Sequence, residues 1–295
     1  NSGTLVLSGT NTYVDGTTIS GGVLQIGADT ALGNASGGLT FNGGTLNPTA
    51  NMSTARGVTM SGAGTLDIGS GITVTATGVI GGSGALTKSS DGVLVLSGTN
   101  TYTGGTVLSA GTIRVSNDGS LGGSAGGLTF SGGTLAATAG FTDSRAVTLS
   151  SSGTLDVASG QTLTMAGVFS GSGGVIKSNT GQLTLSGTNT YSGGTTINAG
   201  TVSISSADNL GTSNLTFGGG TLNVSSDITT SKTVALTGAG TIDVDNSQTA
   251  TLSGVISGSG GALTKTGAGT LALGGINTYD QGTTLTGGVI SVSSD

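Results

Sequence analysis

The chain has 295 residues, of which 7% are charged and 61 are glycine, with a formal net charge of −6 and a pI near 4.2. That balance disfavours nucleic acid and anionic membrane surfaces, both of which select basic patches. There is no His, Cys or Trp, every acidic residue is Asp, and Pro48 is the one proline, so Ser/His and Cys/His nucleophile arrangements and disulfides are excluded.

No stretch approaches the roughly 18 to 20 uninterrupted apolar residues of a membrane helix. No signal peptide stands at Asn1, which predicts that any targeting segment is removed or lies outside this chain. Helix formers are scarce while Thr, Val, Ile and Leu recur in short runs, so essentially no helix is expected. Low charge together with many β-branched residues also argues against disorder.

The chain opens on LVLSGTNTY (residues 5–13), which returns at residues 94–102, as LTLSGTNTY at 183–191 and as LALGGINTY at 271–279. The tyrosines Tyr13, Tyr102, Tyr191 and Tyr279 are spaced 89, 89 and 88 residues apart, and there are no others. A period held across the whole chain marks a repeat architecture. The reading is one β-solenoid domain over residues 1–295, with super-repeats of roughly 1–89, 90–178, 179–265 and a partial 266–295.

Within the first period, strand-like segments cut by glycine turns start at Val23, Thr45, Thr65, Ala85 and then Thr112. Those starts lie 22, 20, 20 and 27 residues apart, close to one coil of a β-helix. This predicts a parallel all-β solenoid of about 13 rungs, four to each 89-residue super-repeat, the longest carrying the Asn-Thr-Tyr loop. In GTLDIGS (residues 64–70) alternation sends Leu66 and Ile68 inward and Thr65 and Asp67 outward. The connectors NASGG, GSAGG and TSN differ in length without disturbing the flanking register, so they are surface corners.

Further resemblance lies in the Lys-Ser/Thr opening (Lys88, Lys177, Lys265) and in a leucine pair (Leu94 and Leu96, Leu183 and Leu185, Leu271 and Leu273). Asn-Thr-Tyr follows, and then Gly-Thr-Thr or Gly-Thr-Val at Gly16, Gly105, Gly194 and Gly282. In these positions the chain resembles the passenger-associated transport repeat, also called the autotransporter-associated β-strand repeat, in copies at 1–29, 86–118, 176–208 and 263–295. The resemblance implies a right-handed parallel β-helix in a secreted passenger, threaded through an outer-membrane β-barrel and displayed on a Gram-negative cell. The chain departs from a full autotransporter in lacking a signal peptide and a barrel-forming segment, which leaves a fragment or a processed passenger as the expectation.

Chemistry is sparse. Asp243 and Asp245 share a strand face about 7 Å apart, a spacing compatible with a carboxylate pair or an oxygen-ligated cation. The positions equivalent to Asp245 are Ala158 and Gly69, so a solvated outer face is favoured. Lys88, Lys177, Lys265, Arg56, Arg145 and Lys232 recur at the period. They read either as stripes for an anionic glycan or, the favoured reading, as weak surface pairs with Asp67, Asp156 and Asp243. The recurring corner residues Asn11, Tyr13, Asn100, Tyr102, Asn189, Tyr191, Asn277 and Tyr279 are expected to be structural, the ring packing on the wall and the Asn closing a turn.

The function expected is a non-enzymatic passenger or stalk at the cell surface, with no catalytic residue, cofactor or metal. Alternatives are an adhesin for glycans or a host surface, and a self-assembling extracellular filament. Expected partners are neighbouring regions of the same surface protein, a second copy joined head to tail through open end rungs, and a glycan or host-surface ligand.

Overall fold

A computed structural model describes residues 2–293; Asn1, Ser294 and Asp295, in the first and last repeat copies, lie outside the described residues. The chain divides into two compact units, residues 1–138 with 145–148, and residues 139–144 with 149–295. Both are parallel β-solenoids, about 14 turns in all, in agreement with the fold class read from the sequence. No α-helix occurs among the described residues, and none is long and apolar enough to cross a membrane. The helical turns are Asp29–Leu32, Asp118–Leu121 and Ala207–Leu210, each a single 3-10 turn at the start of a connector.

Strand formation follows the alternation. In Val93–Leu96 the leucines Leu94 and Leu96 are buried while Val93 and Val95 are half-buried on the outer face. Phe41, Phe130 and Phe217, each closing a Leu-Thr-Phe strand, are among the largest buried side chains of the core. Because each rung is only a few residues wide per face, apolar residues stack on their counterparts one rung on, and the core is narrow and continuous within each unit.

The first unit shows how the long period is built. Its longest ladder runs Thr4↔Val23, Val23↔Thr45, Thr45↔Thr65 and Thr65↔Thr87, all parallel. After those four steps the register stands at Thr87, six residues short of Val93, the 89-residue equivalent of Thr4. The next step on that sheet is Thr87↔Val107, while Val93 belongs to another sheet and pairs with Thr73 and Thr112. The second unit does the same: Gln182↔Thr201, Thr201↔Thr221, Thr221↔Thr241 and Thr241↔Thr264 occupy one sheet, and Thr270 begins a strand of another. The count of four rungs per super-repeat is therefore refined to four and about a third. The 27-residue interval read as one long rung is the place where the next repeat copy passes to a neighbouring face.

Pro48 illustrates how local exceptions are repaired. It ends the strand Thr45–Pro48, and proline removes a ladder donor. Continuing the register Thr45↔Thr65 and Leu46↔Leu66 sets its missing N–H against the Asp67 carbonyl. The Asn47 side chain fills the gap, its Nδ2 donating to the Asp67 carbonyl at 2.9 Å.

Candidate functional site

The recurring Asn-Thr-Tyr corner joins three consecutive rungs. Asn100 Oδ1 accepts from the Ile80 amide at 2.8 Å in the rung before, and its Nδ2 donates to the Ser120 carbonyl at 2.6 Å in the rung after. Asn189 repeats this with the Phe169 amide at 2.8 Å and the Asn209 carbonyl at 2.6 Å. Asn277 accepts from the Ile256 amide at 2.8 Å, and Asn11 donates to the Ala31 carbonyl at 2.7 Å. The turn-closing role expected for this Asn is thus a bridge between rungs: a side-chain amide, with a donor and an acceptor, fits between two parallel strands as a peptide unit does.

The tyrosine of each copy folds back onto the Thr four residues on. Tyr102 and Thr106 hydroxyls meet at 2.7 Å, and Thr106 Oγ1 donates to the Leu121 carbonyl at 3.3 Å. Tyr191 and Thr195 meet at 2.5 Å, Thr195 going on to Leu210; Tyr13 pairs with Thr17 at 2.8 Å and Tyr279 with Thr283. The glycine before each of these threonines has φ between +80° and +84°, at Gly16, Gly105, Gly194 and Gly282, which is what turns the Thr toward the ring. Tyr102 and Tyr191 are fully buried, while Tyr279 is half-buried and Tyr13 is 40% exposed. Burial raises the phenol of Tyr102 to about 12 and pushes that of Tyr191 up as well, the hydroxyl bond to the neighbouring Thr opposing the rise in both. Phe169 adds an edge-on contact to Tyr191 with ring centroids 6.2 Å apart.

The periodic cations are not the surface charges expected of them. Lys88, Lys177 and Lys265 lie on the inner face with no exposed surface. Their ammonium groups reach the next corner and donate to backbone carbonyls: Lys88 to Ser89 at 2.7 Å and Ser90 at 2.6 Å, Lys177 to Ser178 and Asn179 at 2.6 Å each, Lys265 to Thr266 and Gly267. Burial lowers Lys88 to about 8 against the pull of Asp67 and Asp91, and Lys177 to about 8 against Asp156; Lys265 is lowered too.

Arg56 is buried inside the first connector. Its Nε pairs with Asp29 at 2.9 Å, and its terminal nitrogens donate to the carbonyls of Asp29, Gly33, Asn34 and Gly37. Arg145 takes the equivalent place against Asp118 and the Gly122 carbonyl, and Lys232 reaches the Gly211 carbonyl. A planar guanidinium with five donors suits a loop made of inward-turned carbonyls.

The acidic positions also belong to inter-rung ladders. Gln25 donates to Asn47 at 2.9 Å, Asn47 to Asp67 at 3.1 Å, and Ser89 and Ser90 donate to Asp67 from the following rung. In the second unit Ser203 donates to Asn223, which donates to both Asp243 at 3.1 Å and Asp245 at 2.8 Å, and Thr266 donates to Asp243. Asn223 thus sits between the two carboxylates singled out as a pair. Among the described residues no group of three or more acidic side chains is placed to hold a metal ion.

The passenger-associated-transport-repeat family matches residues 1–26, 86–115, 175–204 and 263–292. Over 153 residues, half of this chain, the sequence is 44% identical to the BmaC autotransporter adhesin of Brucella suis biovar 1 (strain 1330), and the match spans 4% of that protein. No solved structure matches. Each of the four matched segments carries the Asn-Thr-Tyr corner within a parallel solenoid, and in these segments the chain is similar to passenger-associated transport repeats and to autotransporter adhesin sequence.

Proposed function

We propose that the chain is a non-enzymatic structural segment of a passenger displayed outside a Gram-negative bacterium after export through the outer membrane. In this reading the solenoid spaces neighbouring regions of the same protein from the cell. The observation that carries it is the fate of the most regular residues. At the buried corners, Asn100, Tyr102, Asn189 and Tyr191 place their polar atoms on the fold itself, so the repeat conserves connections between rungs. An in-frame deletion of residues 94–182 from the displayed parent protein tests it. One full period is removed and Val93 meets Leu183, a leucine equivalent to Leu94, so the corner is rebuilt. Retained export, retained display and a shorter reach are expected; loss of cell binding by the parent protein would overturn the reading.

The second reading, an adhesive surface, is favoured by the relative's being an adhesin. Saturable binding of the purified chain to host cells or to immobilised glycans would put that reading first, and turnover of a glycan, peptide or ester would overturn the non-enzymatic assignment.

A further inference from the structure

We infer that Asn34 is an acceptor site for N-linked glycosylation by an asparagine glycosyltransferase using a nucleoside-diphosphate sugar. The Asn-x-Ser/Thr triplet occurs at Asn34, Asn51, Asn214 and Asn223; at Asn47 the middle residue is Pro48, which disqualifies it. The fold treats these four positions differently. Asn223 has its amide nitrogen committed to Asp243 and Asp245. Asn51 Oδ1 accepts from the Thr73 amide at 2.8 Å, tying the side chain to the next rung. Asn214 is exposed, but its Thr216 lies in the strand Leu215–Phe217, and among the described residues no hydrogen bond joins that hydroxyl to the Asn214 side chain.

Asn34 differs on each count. It is exposed on the connector after Asp29–Leu32, and its Nδ2 has no hydrogen bond among the described residues. Ser36 folds back so that its amide and its hydroxyl donate to Asn34 Oδ1 at 3.0 and 2.9 Å. The nucleophilic nitrogen and the hydroxyl by which a transferase reads the triplet are therefore displayed together. The corner is held in that shape from beneath, where buried Arg56 donates to the Asn34 carbonyl at 2.5 Å and the Gly37 carbonyl at 2.9 Å. The equivalent corners read GSAGG and TSN, so the solenoid does not need an asparagine at this position and a bulky addition there leaves the rungs untouched.

In the reaction, Nδ2 attacks the anomeric carbon of the sugar. The N–C bond forms, the bond from that carbon to the diphosphate oxygen breaks, the nucleoside diphosphate leaves, and the Nδ2 proton passes to a base of the transferase. The inference does not rest on the stalk reading, since it needs only a folded, accessible corner.

The test incubates the folded, purified chain with a soluble asparagine glucosyltransferase and UDP-glucose, an acceptor peptide in the same tube reporting that the enzyme is active. Peptide mapping by mass spectrometry is expected to find a hexose on the peptide containing Asn34, dominant over the other three sites, and lost in both Asn34→Gln and Ser36→Ala. Thermal unfolding of both variants checks that the solenoid is intact. An unmodified Asn34 beside a modified acceptor peptide, or equal occupancy at Asn51, Asn214 and Asn223, would overturn the inference.

Discussion

Gly122 lies against the ring and the carbonyl of Tyr102: a Cβ added to Gly122 would stand 2.7 Å from the Tyr102 carbonyl oxygen and 2.8 Å from Cε2. The backbone there has φ +87°, a left-handed conformation that costs a side chain further strain. Gly33 and Gly211 meet Tyr13 and Tyr191 in the same way, so the Leu-Gly pairs that recur in the sequence are the seats of the tyrosines. Gly122→Ala is expected to lose about 1 to 3 kcal/mol in urea unfolding, from overpacking plus strain. Gly33→Ala should lose less, because the more exposed Tyr13 ring has room to shift.

Tyr102→Ala should be costlier than its neighbour substitutions, about 3 to 5 kcal/mol, since a fully buried aromatic leaves a cavity the stacked rungs cannot close. Tyr102→Phe keeps the packing and removes one hydroxyl bond to Thr106, a loss of about 1 kcal/mol. Equal losses for the two variants would show that the hydroxyl, not the ring, holds the corner.

Asn100→Ala strands the Ile80 amide and the Ser120 carbonyl at once, which predicts about 2 to 4 kcal/mol, each unmet buried group contributing about 1 to 3. Asn100→Asp keeps the acceptor for Ile80 and sets a carboxylate oxygen against a carbonyl, so it should rescue little. Amide hydrogen exchange at Ile80 is the readout, since its protection depends on Oδ1 alone. Fast exchange in the alanine variant with slow exchange in the aspartate variant is the expected contrast.

The fold class was legible because period-2 alternation and glycine corners are local signals that repeat. The phase of the sheets was not: 89 residues is no multiple of a rung of about 20, so identical strands fall on different faces, visible only in pairings such as Thr87↔Val107 beside Val93↔Thr112. The inward lysines were within reach of the sequence, since strict alternation in Leu86–Ser89 sets Lys88 on the side of Leu86; charge alone suggested the surface. Arg56 carried no such sign, its carbonyl partners lying 19 to 27 residues earlier and brought to it only by the coil.

For Arg56→Ala the expectation is a loss of about 3 kcal/mol, the pair with half-buried Asp29 being broken and several buried loop carbonyls left unmet. Arg56→Lys should recover part of it, because Lys232 fills the equivalent place beneath the shorter connector of the third copy. Hydrogen exchange over residues 29–37 should rise in the order wild type, lysine, alanine; a flat profile would show the loop to be held by its own turns.

The pH dependence follows from Lys88 and Lys177. Burial lowers both to about 8 in the folded chain from an ordinary 10.5, so between those values the unfolded chain binds more protons than the folded one. Stability then rises with pH through that window, because the unfavourable charge inside the fold is relieved before it is relieved in the unfolded chain. Tyr102 and Tyr191 act in the opposite sense. Their phenols are raised above the ordinary 10.0, so above that value the unfolded chain loses protons that the folded one keeps, and stability falls. Thermal unfolding across this range should therefore show the midpoint climbing from about pH 8 to about pH 10 and then turning down. In the double variant Lys88→Met, Lys177→Met the climb should flatten while the downturn stays. The variant should also start from lower stability at neutral pH, since the Ser89, Ser90, Ser178 and Asn179 carbonyls lose their ammonium donors. A climb of unchanged slope in that variant would mean the buried lysines keep their protons throughout, the corner carbonyls holding the charge more strongly than burial opposes it.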